Sequence, residues 1–238
     1  MHNYTHAGGS MSTITTDQQA AIAEKLANMH LPSGLGDEHS ARSIAAINLA
    51  LSGRLTDSIP DCMSRVIGQW IIVVQDAMPD AVRNSERWKS LLPMAAGTGR
   101  VNEQERLDII LDWMWVTVLP SLQPLADQQG FGKQWQQMTT ERTAKSADAT
   151  AWATLGWATW ARAAEAAARA AARAARAVEA VEAAVEAARA ADAVARAAAA
   201  RATNAAAADA WATIWVNFDP CGLLERLIKI DNNVQEAV

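Results

Sequence analysis

ARAAEAAARAAARAARAVEAVEAAVEAARAADAVARAAAARATNAAAADA, residues 161–210, decides how this chain folds. Thirty-one of these 50 residues are alanine, and none is Gly or Pro. Alanine loses no side-chain entropy in a helix and heads the propensity scale. The stretch therefore predicts one long α-helix, about 75 Å from end to end at roughly 1.5 Å per residue. A domain built from the preceding residues is only about 35–40 Å across, judged from its radius of gyration. The helix must project, bend back, or pack along something long. Thr203-Asn204 is its one weak point, and Asn can end a helix in the left-handed conformation. A hairpin turning there is the alternative to a continuous rod.

From 162 to 196 the charges in this stretch fall at 162, 165, 169, 173, 176, 179, 182, 186, 189, 192 and 196, and Arg201 and Asp209 follow. Their mean step of about 3.4 residues is shorter than the 3.6 of a straight helix, so the polar stripe drifts. A left-handed supercoil produces that drift, and so do different neighbours covering different faces along the length. Glu165–Arg169 and Asp192–Arg196 are favourable i,i+4 pairs. Arg162, Arg169, Arg173 and Arg176 share one face, interrupted only by Glu165, and can hold phosphates in bidentate pairs. The simpler reading is a solvated stripe whose Ala face packs on another helix, of this chain or a second. Ice binding needs a regular threonine ladder, and Thr154, Thr159, Thr203 and Thr213 do not make one.

Before this stretch the chain reads as short helices. Residues 1–15, with His2 and His6, are polar and aperiodic and read as a tail. Thr16 with Gln19 forms an expected capping box for a first helix. A second runs from about Glu38 to a stop at Gly53. Met63, Val66, Ile67, Trp70, Ile71, Val73 and Val74 make a third helix apolar nearly all round, and so central. A short helix carries Trp88 and Leu91-Leu92. Asn102 with Glu105 opens another, reaching about Leu119, with a kink or restart expected at Pro120 and Pro124. After the Ala-rich stretch, Asp219-Pro220 is an N-cap followed by proline, opening a last helix. No segment reads as a strand. The expected fold is all-α: a helical domain over 16–150, a long Ala-rich helix or hairpin over 151–217, and a capping helix and tail over 218–238.

Composition narrows the function. Net charge is −5, and no segment is strongly basic, which argues against nucleic acid as a partner. Ten Trp against two Phe and one Tyr suggest large wedges between helices. Cys62 and Cys221 do not make a disulfide framework, and a cytoplasmic setting is expected. The richest apolar run, Val66 to Val74, is broken by Gln69, so no membrane span is expected; nor is a secretory leader. Glu105, Asp108 and Asp112 share a helix face, but no histidine accompanies them, and a solvated face is the reading. Asp61 and Asp219 stand beside the two cysteines and oppose thiolate formation. Gly97-Thr-Gly99 lacks the Lys-Ser/Thr of a phosphate loop.

Four segments carry a resemblance: Ile59-Pro-Asp-Cys-Met-Ser-Arg-Val-Ile-Gly-Gln-Trp70, Leu91-Leu-Pro-Met-Ala-Ala-Gly-Thr98, the Ala-rich stretch, and Leu223-Leu-Glu-Arg-Leu-Ile228. Together they resemble a group of alanine- and tryptophan-rich helical proteins of actinobacteria and their phages. The resemblance spans most of the chain from about residue 40. It implies a bacterial or phage origin and a cytoplasmic setting, and it brings no catalytic residues. The expectation is a non-catalytic interaction or assembly protein, docking a protein partner or a second copy through its Ala face, without cofactor or metal. The alternative is a binder of an anionic, nucleotide-like small molecule on Arg162, Arg169, Arg173 and Arg176.

Overall fold

The structure, a computed structural model, describes residues 14–33, 40–154, 159–199 and 204–235. Among them every regular element is helical, and the fold is all-α. The expected tail lies, except for its last two residues, outside the described residues. Helix α1 spans Thr16–Ala27, α2 Ser43–Ser52, α3 Arg65–Ala77, α4 Asp80–Arg83, α5 Glu86–Ala96 and α6 Glu103–Trp113. A π turn (Met114–Val118) and a 3-10 turn (Leu119–Leu122) continue α6 into α7, Gln123–Gln128. Then come α8 Gly132–Glu141, α9 Ala144–Ala153, α10 Thr159–Ala174, α11 Ala180–Ala199, α12 Asn204–Phe218 and α13 Pro220–Gln235.

The Ala-rich stretch is not one rod. It turns back at residues 175–179, so α10 and α11 form a hairpin and lie against each other. The turn comes a full helix earlier than Thr203-Asn204. It holds no glycine and uses no positive φ. Local propensity favours helix straight through it, but only by tenths of a kcal/mol per residue. Folding back buries both Ala faces, and tertiary packing outweighs so small a preference. Val178 stands at the tip, 97% exposed.

Helix α11 is the centre of the molecule. It packs on α10, α3, α6, both turns after α6, and α12. Among its described side chains only Glu182, Arg189 and Arg196, spaced seven residues apart, are exposed. Its buried positions are alanines and Val194, with Glu186 the one charged exception. Small side chains let neighbouring backbones approach, so one slender helix is covered on several sides. The drift of the charged stripe therefore reflects changing neighbours. One hydrophobic cluster runs from Ile22 through α3, α10 and α11 to Ile228, crossing residue 150 without a break.

Local signals hold the other helices, some displaced from where the sequence placed them. The first capping box is Thr15 with Gln18: Gln18 N donates to Thr15 Oγ1 (3.2 Å) and Thr15 N donates to Gln18 Oε1 (2.9 Å). Gly53 ends α2 at φ 68°. Asp219 caps α13, its Oδ1 accepting from Gly222 N at 3.0 Å. Asn102 stands at the N-cap position of α6, as expected, but at φ 54° and with no side-chain bond to the helix N-terminus. Glu103 instead reaches across to α3. Its carboxylate accepts from Ser64 Oγ (2.5 Å), Arg65 N (2.7 Å) and Val66 N (3.2 Å). A carboxylate at a helix N-terminus satisfies orphan donors and faces the positive end of the dipole. We expect Glu103→Ala to cost about 1–2 kcal/mol in urea unfolding. An unchanged midpoint would remove this role.

The prolines at 120 and 124 do not restart the helix; they alter its winding. Proline removes a donor and crowds the carbonyl four residues earlier. The chain widens before Pro120 and tightens after it. Gln123 N then donates to Pro120 O, which releases the Leu119 carbonyl. Trp135 Nε1 donates to that carbonyl at 2.7 Å. Glu103–Gln128 is consequently one helical run, long and apolar enough to cross a membrane by length and composition, with half of its apolar window buried inside the fold.

The tryptophans act as wedges. Trp88, Trp70, Trp113, Phe218 and Trp215 meet in sequence, with ring centroids 5.4–6.2 Å apart. Trp113 Nε1 donates to Phe218 O at 2.7 Å, and Trp88 Nε1 to Ser43 Oγ at 3.2 Å. This row ties α2, α3, α5, α6 and the end of α12 together.

Candidate functional site

The arginine face on α10 is already occupied. Arg169 pairs with Glu165 at 2.7 Å, and Arg176 with Asp148 of α9. Arg173 pairs with Glu186 of α11 at 2.7 Å, and Arg189 reaches the same carboxylate at 2.5 Å. Glu186 is 5% exposed, so two arginines hold a buried charge where the hairpin arms meet. Only Arg162 of the four has no carboxylate partner among the described residues. Arg173 and Arg176 therefore join helices, and a bidentate phosphate would have to displace carboxylates from three of the four arginines to use this face. Asp148 and Glu186 were invisible as partners in the sequence, because their pairings cross between helices. Asp192–Arg196 does form within α11, at 2.9 Å, and Arg196 also lies 5.9 Å from the Trp211 ring.

The three carboxylates of α6 are exposed and do not converge. Asp108 accepts from Gln104 Nε2 at 2.9 Å, and Asp112 meets Arg142 at 3.5 Å. Among the described residues no group of three or more His, Cys, Asp or Glu could hold a metal ion. His2 and His6 lie outside them.

Both cysteines are free and buried. Burial is the main force pushing the Cys62 thiol up, helped by Asp61 and opposed by a backbone hydrogen bond and Arg100. Burial also pushes up Cys221, with Asp219 and Glu225 adding to it and Arg87 and Ser85 opposing. Low-pKa, exposed cysteines react; these have the reverse character. At about pH 8, iodoacetamide should label the folded protein far more slowly than the urea-unfolded chain. Equal rates would show the thiols to be open. The folded thiols ionise above the usual 9.0, so ionisation favours unfolding. Stability should be intact below pH 9.0 and decline as pH rises through the folded values.

Two features stand out that sequence reasoning did not isolate. The first is Trp152. It lies on α9 and is 69% exposed, whereas Trp70, Trp88, Trp113, Trp135 and Trp215 are all buried. The sequence placed it in an apolar knot with Leu155, Trp157 and Trp160; Leu155 and Trp157 lie outside the described residues. The second is a cleft of about 360 Å³ lined by Asp57, Ser58, Ile59, Arg65, Gln69, Arg100 and Val181. Residues from 57–69 meet Arg100 and Val181 there, which are distant in sequence, so no local motif could announce it. The one local trace is Arg65 and Gln69 at i,i+4 on α3.

Comparison with protein-family models, with curated proteins and with solved structures found no match in any of the three.

Proposed function

We propose that the protein is a non-catalytic helical interaction module that docks a protein partner, or a second copy, over α9. The exposed indole of Trp152 carries this reading. A tryptophan offers a large rigid apolar surface and one donor, the profile of an interface anchor. The Ala faces cannot serve as the expected docking surface, because α10 and α11 cover them with each other and with α3, α6 and α9. Docking therefore shifts from the Ala stripe to the outer side of the helix next to it. Two free cysteines suit a reducing, cytoplasmic setting. The resemblance to actinobacterial and phage proteins suits the same setting.

Two measurements test the reading together. Light scattering behind size-exclusion chromatography reads self-association in wild type and in Trp152→Ser. A photo-crosslinking residue at position 152, in the full chain in its native host, reads a partner. We expect either a concentration-dependent dimer lost in Trp152→Ser, or one discrete crosslinked species. A strict monomer giving no crosslink at 152 would overturn the proposal.

A further inference from the structure

The cleft beside α3 is built more firmly than its position between loops suggests. Its floor is the 54–61 loop. The Asn48 side chain, itself buried, donates to the carbonyls of Thr56 and Ser58, both at 2.7 Å. Ser58 N donates to Thr56 Oγ1 at 3.2 Å, closing a tight turn. Ile59 then lies against Gly68 of α3, so closely that a Cβ there would stand 2.7 Å from its side chain. Only glycine permits that approach. Arg100 laces the far side through its Nη2, which donates to Asp61 Oδ1 at 2.7 Å and Ile59 O at 3.5 Å. Val181, at the start of α11, closes the apolar side with Ile59.

The charges lining this cleft are unevenly satisfied. Asp57 has Arg42 at 3.6 Å, and Asp61, beside the cleft, has Arg100. Glu103, which lies under the first turn of α3, is already spent on the Ser64 hydroxyl and two backbone donors. The α3 N-terminus is therefore occupied and does not itself offer an anion site. What remains is the Arg65 guanidinium, which has no carboxylate partner among the described residues, and Arg100 Nη1, which has no acceptor among them. Gln69 Nε2 and Ser58 Oγ add neutral donors beside them. Cations and donors on one side, with Ile59 and Val181 on the other, match a ligand with an anionic head and an apolar body. The volume suits a single-ring organic molecule.

We propose that this cleft binds a small organic anion, its phosphate or carboxylate head held by Arg65 and Arg100 and its apolar body lying on Ile59 and Val181. The site stands apart from the docking side of α9 and does not depend on it.

Calorimetric titration of the full chain at low salt tests the site, with phenyl phosphate, inorganic phosphate and phenol as probes. We expect saturable binding of phenyl phosphate, weaker binding of inorganic phosphate, and none of phenol. Arg65 is exposed and holds no ion pair, so Arg65→Ala should fold normally and bind phenyl phosphate about tenfold or more weakly. Gln69→Glu, which places a carboxylate in the cleft, should abolish binding. Arg162→Ala removes the unpaired arginine of α10 and should leave the affinity unchanged. Phenyl phosphate that fails to bind at about 10 mM, where even a millimolar site is filled, would overturn the proposal. Affinity indifferent to both Arg65→Ala and Gln69→Glu would overturn it too. Inorganic phosphate binding as tightly as phenyl phosphate would remove the apolar half of the assignment.

Discussion

Leucine in place of Ala187 should cost the protein about 3 kcal/mol or prevent it from folding. Ala187 is fully buried in α11, as are Ala184, Ala188, Ala190 and Ala191. Helices lie against α11 on several sides, and their spacing is set by methyl groups. Leucine brings three more carbons into a place where no side chain can move aside without displacing a backbone. Overpacking in a dense core usually costs about 1–3 kcal/mol, and a helix enclosed on several sides belongs at the upper end. The same change at Ala166, on the exposed side of α10, should fall within about 0.5 kcal/mol of wild type. Urea unfolding of both variants measures the difference. If Ala187→Leu unfolds at the wild-type midpoint, α11 is not enclosed as described.

Arg106→Leu should be at least as damaging, at about 3–5 kcal/mol. Arg106 is wholly buried in the first half of α6. Its Nε donates to Leu227 O of α13 and its Nη2 to Thr98 O, both at 3.3 Å, and its Nη1 donates to Val101 O. One guanidinium thus serves the loop before α6 and joins it to the C-terminal helix. Leucine fills much of the space but leaves these carbonyls without that donor in a dry interior. Arg87 is the useful contrast. It also joins α13 to an earlier helix, pairing with Asp219 at 2.8 Å and Glu225 at 2.9 Å. Those pairs are largely exposed, and water can replace them. Arg87→Ala should therefore cost no more than about 1 kcal/mol. Equal costs for the two arginines would contradict the burial argument.

Helix positions were legible in the sequence wherever the signal was local. Gly53 as a stop and Asp219-Pro220 as a start act through their own backbone, and both lie where expected. The first capping box was read one residue late, because Thr15 and Thr16 are chemically alike and only tertiary packing chooses between them. The cap that Glu103 supplies was not visible in the sequence, because its acceptor atoms serve another helix. The stretch does break at the weak point read at Thr203-Asn204, where α12 begins at Asn204, but the turn at 175–179 was missed for a deeper reason. Residues 175–179 contain no breaker, and their conformation is fixed by what α10 and α11 bury together. The candidate sites were less legible still. The arginine face could be read from helical periodicity, but its neutralisation by Asp148 and Glu186 could not. The cleft joins residues 57 to 181, a meeting that only the folded chain makes.

The central place of α11 has a consequence for how the protein is made. The apolar side of α3 is complete by residue 77, yet α11, which covers part of it, ends at Ala199. At ribosomal speed those residues are separated by roughly 6–25 s of synthesis. Throughout that interval part of the surface of α3 that α11 will cover has no permanent cover. Nascent chains of this protein are thus clients for any factor that shields apolar helices. Slow codons between α3 and α11 should lower the soluble yield more than slow codons after Ala199.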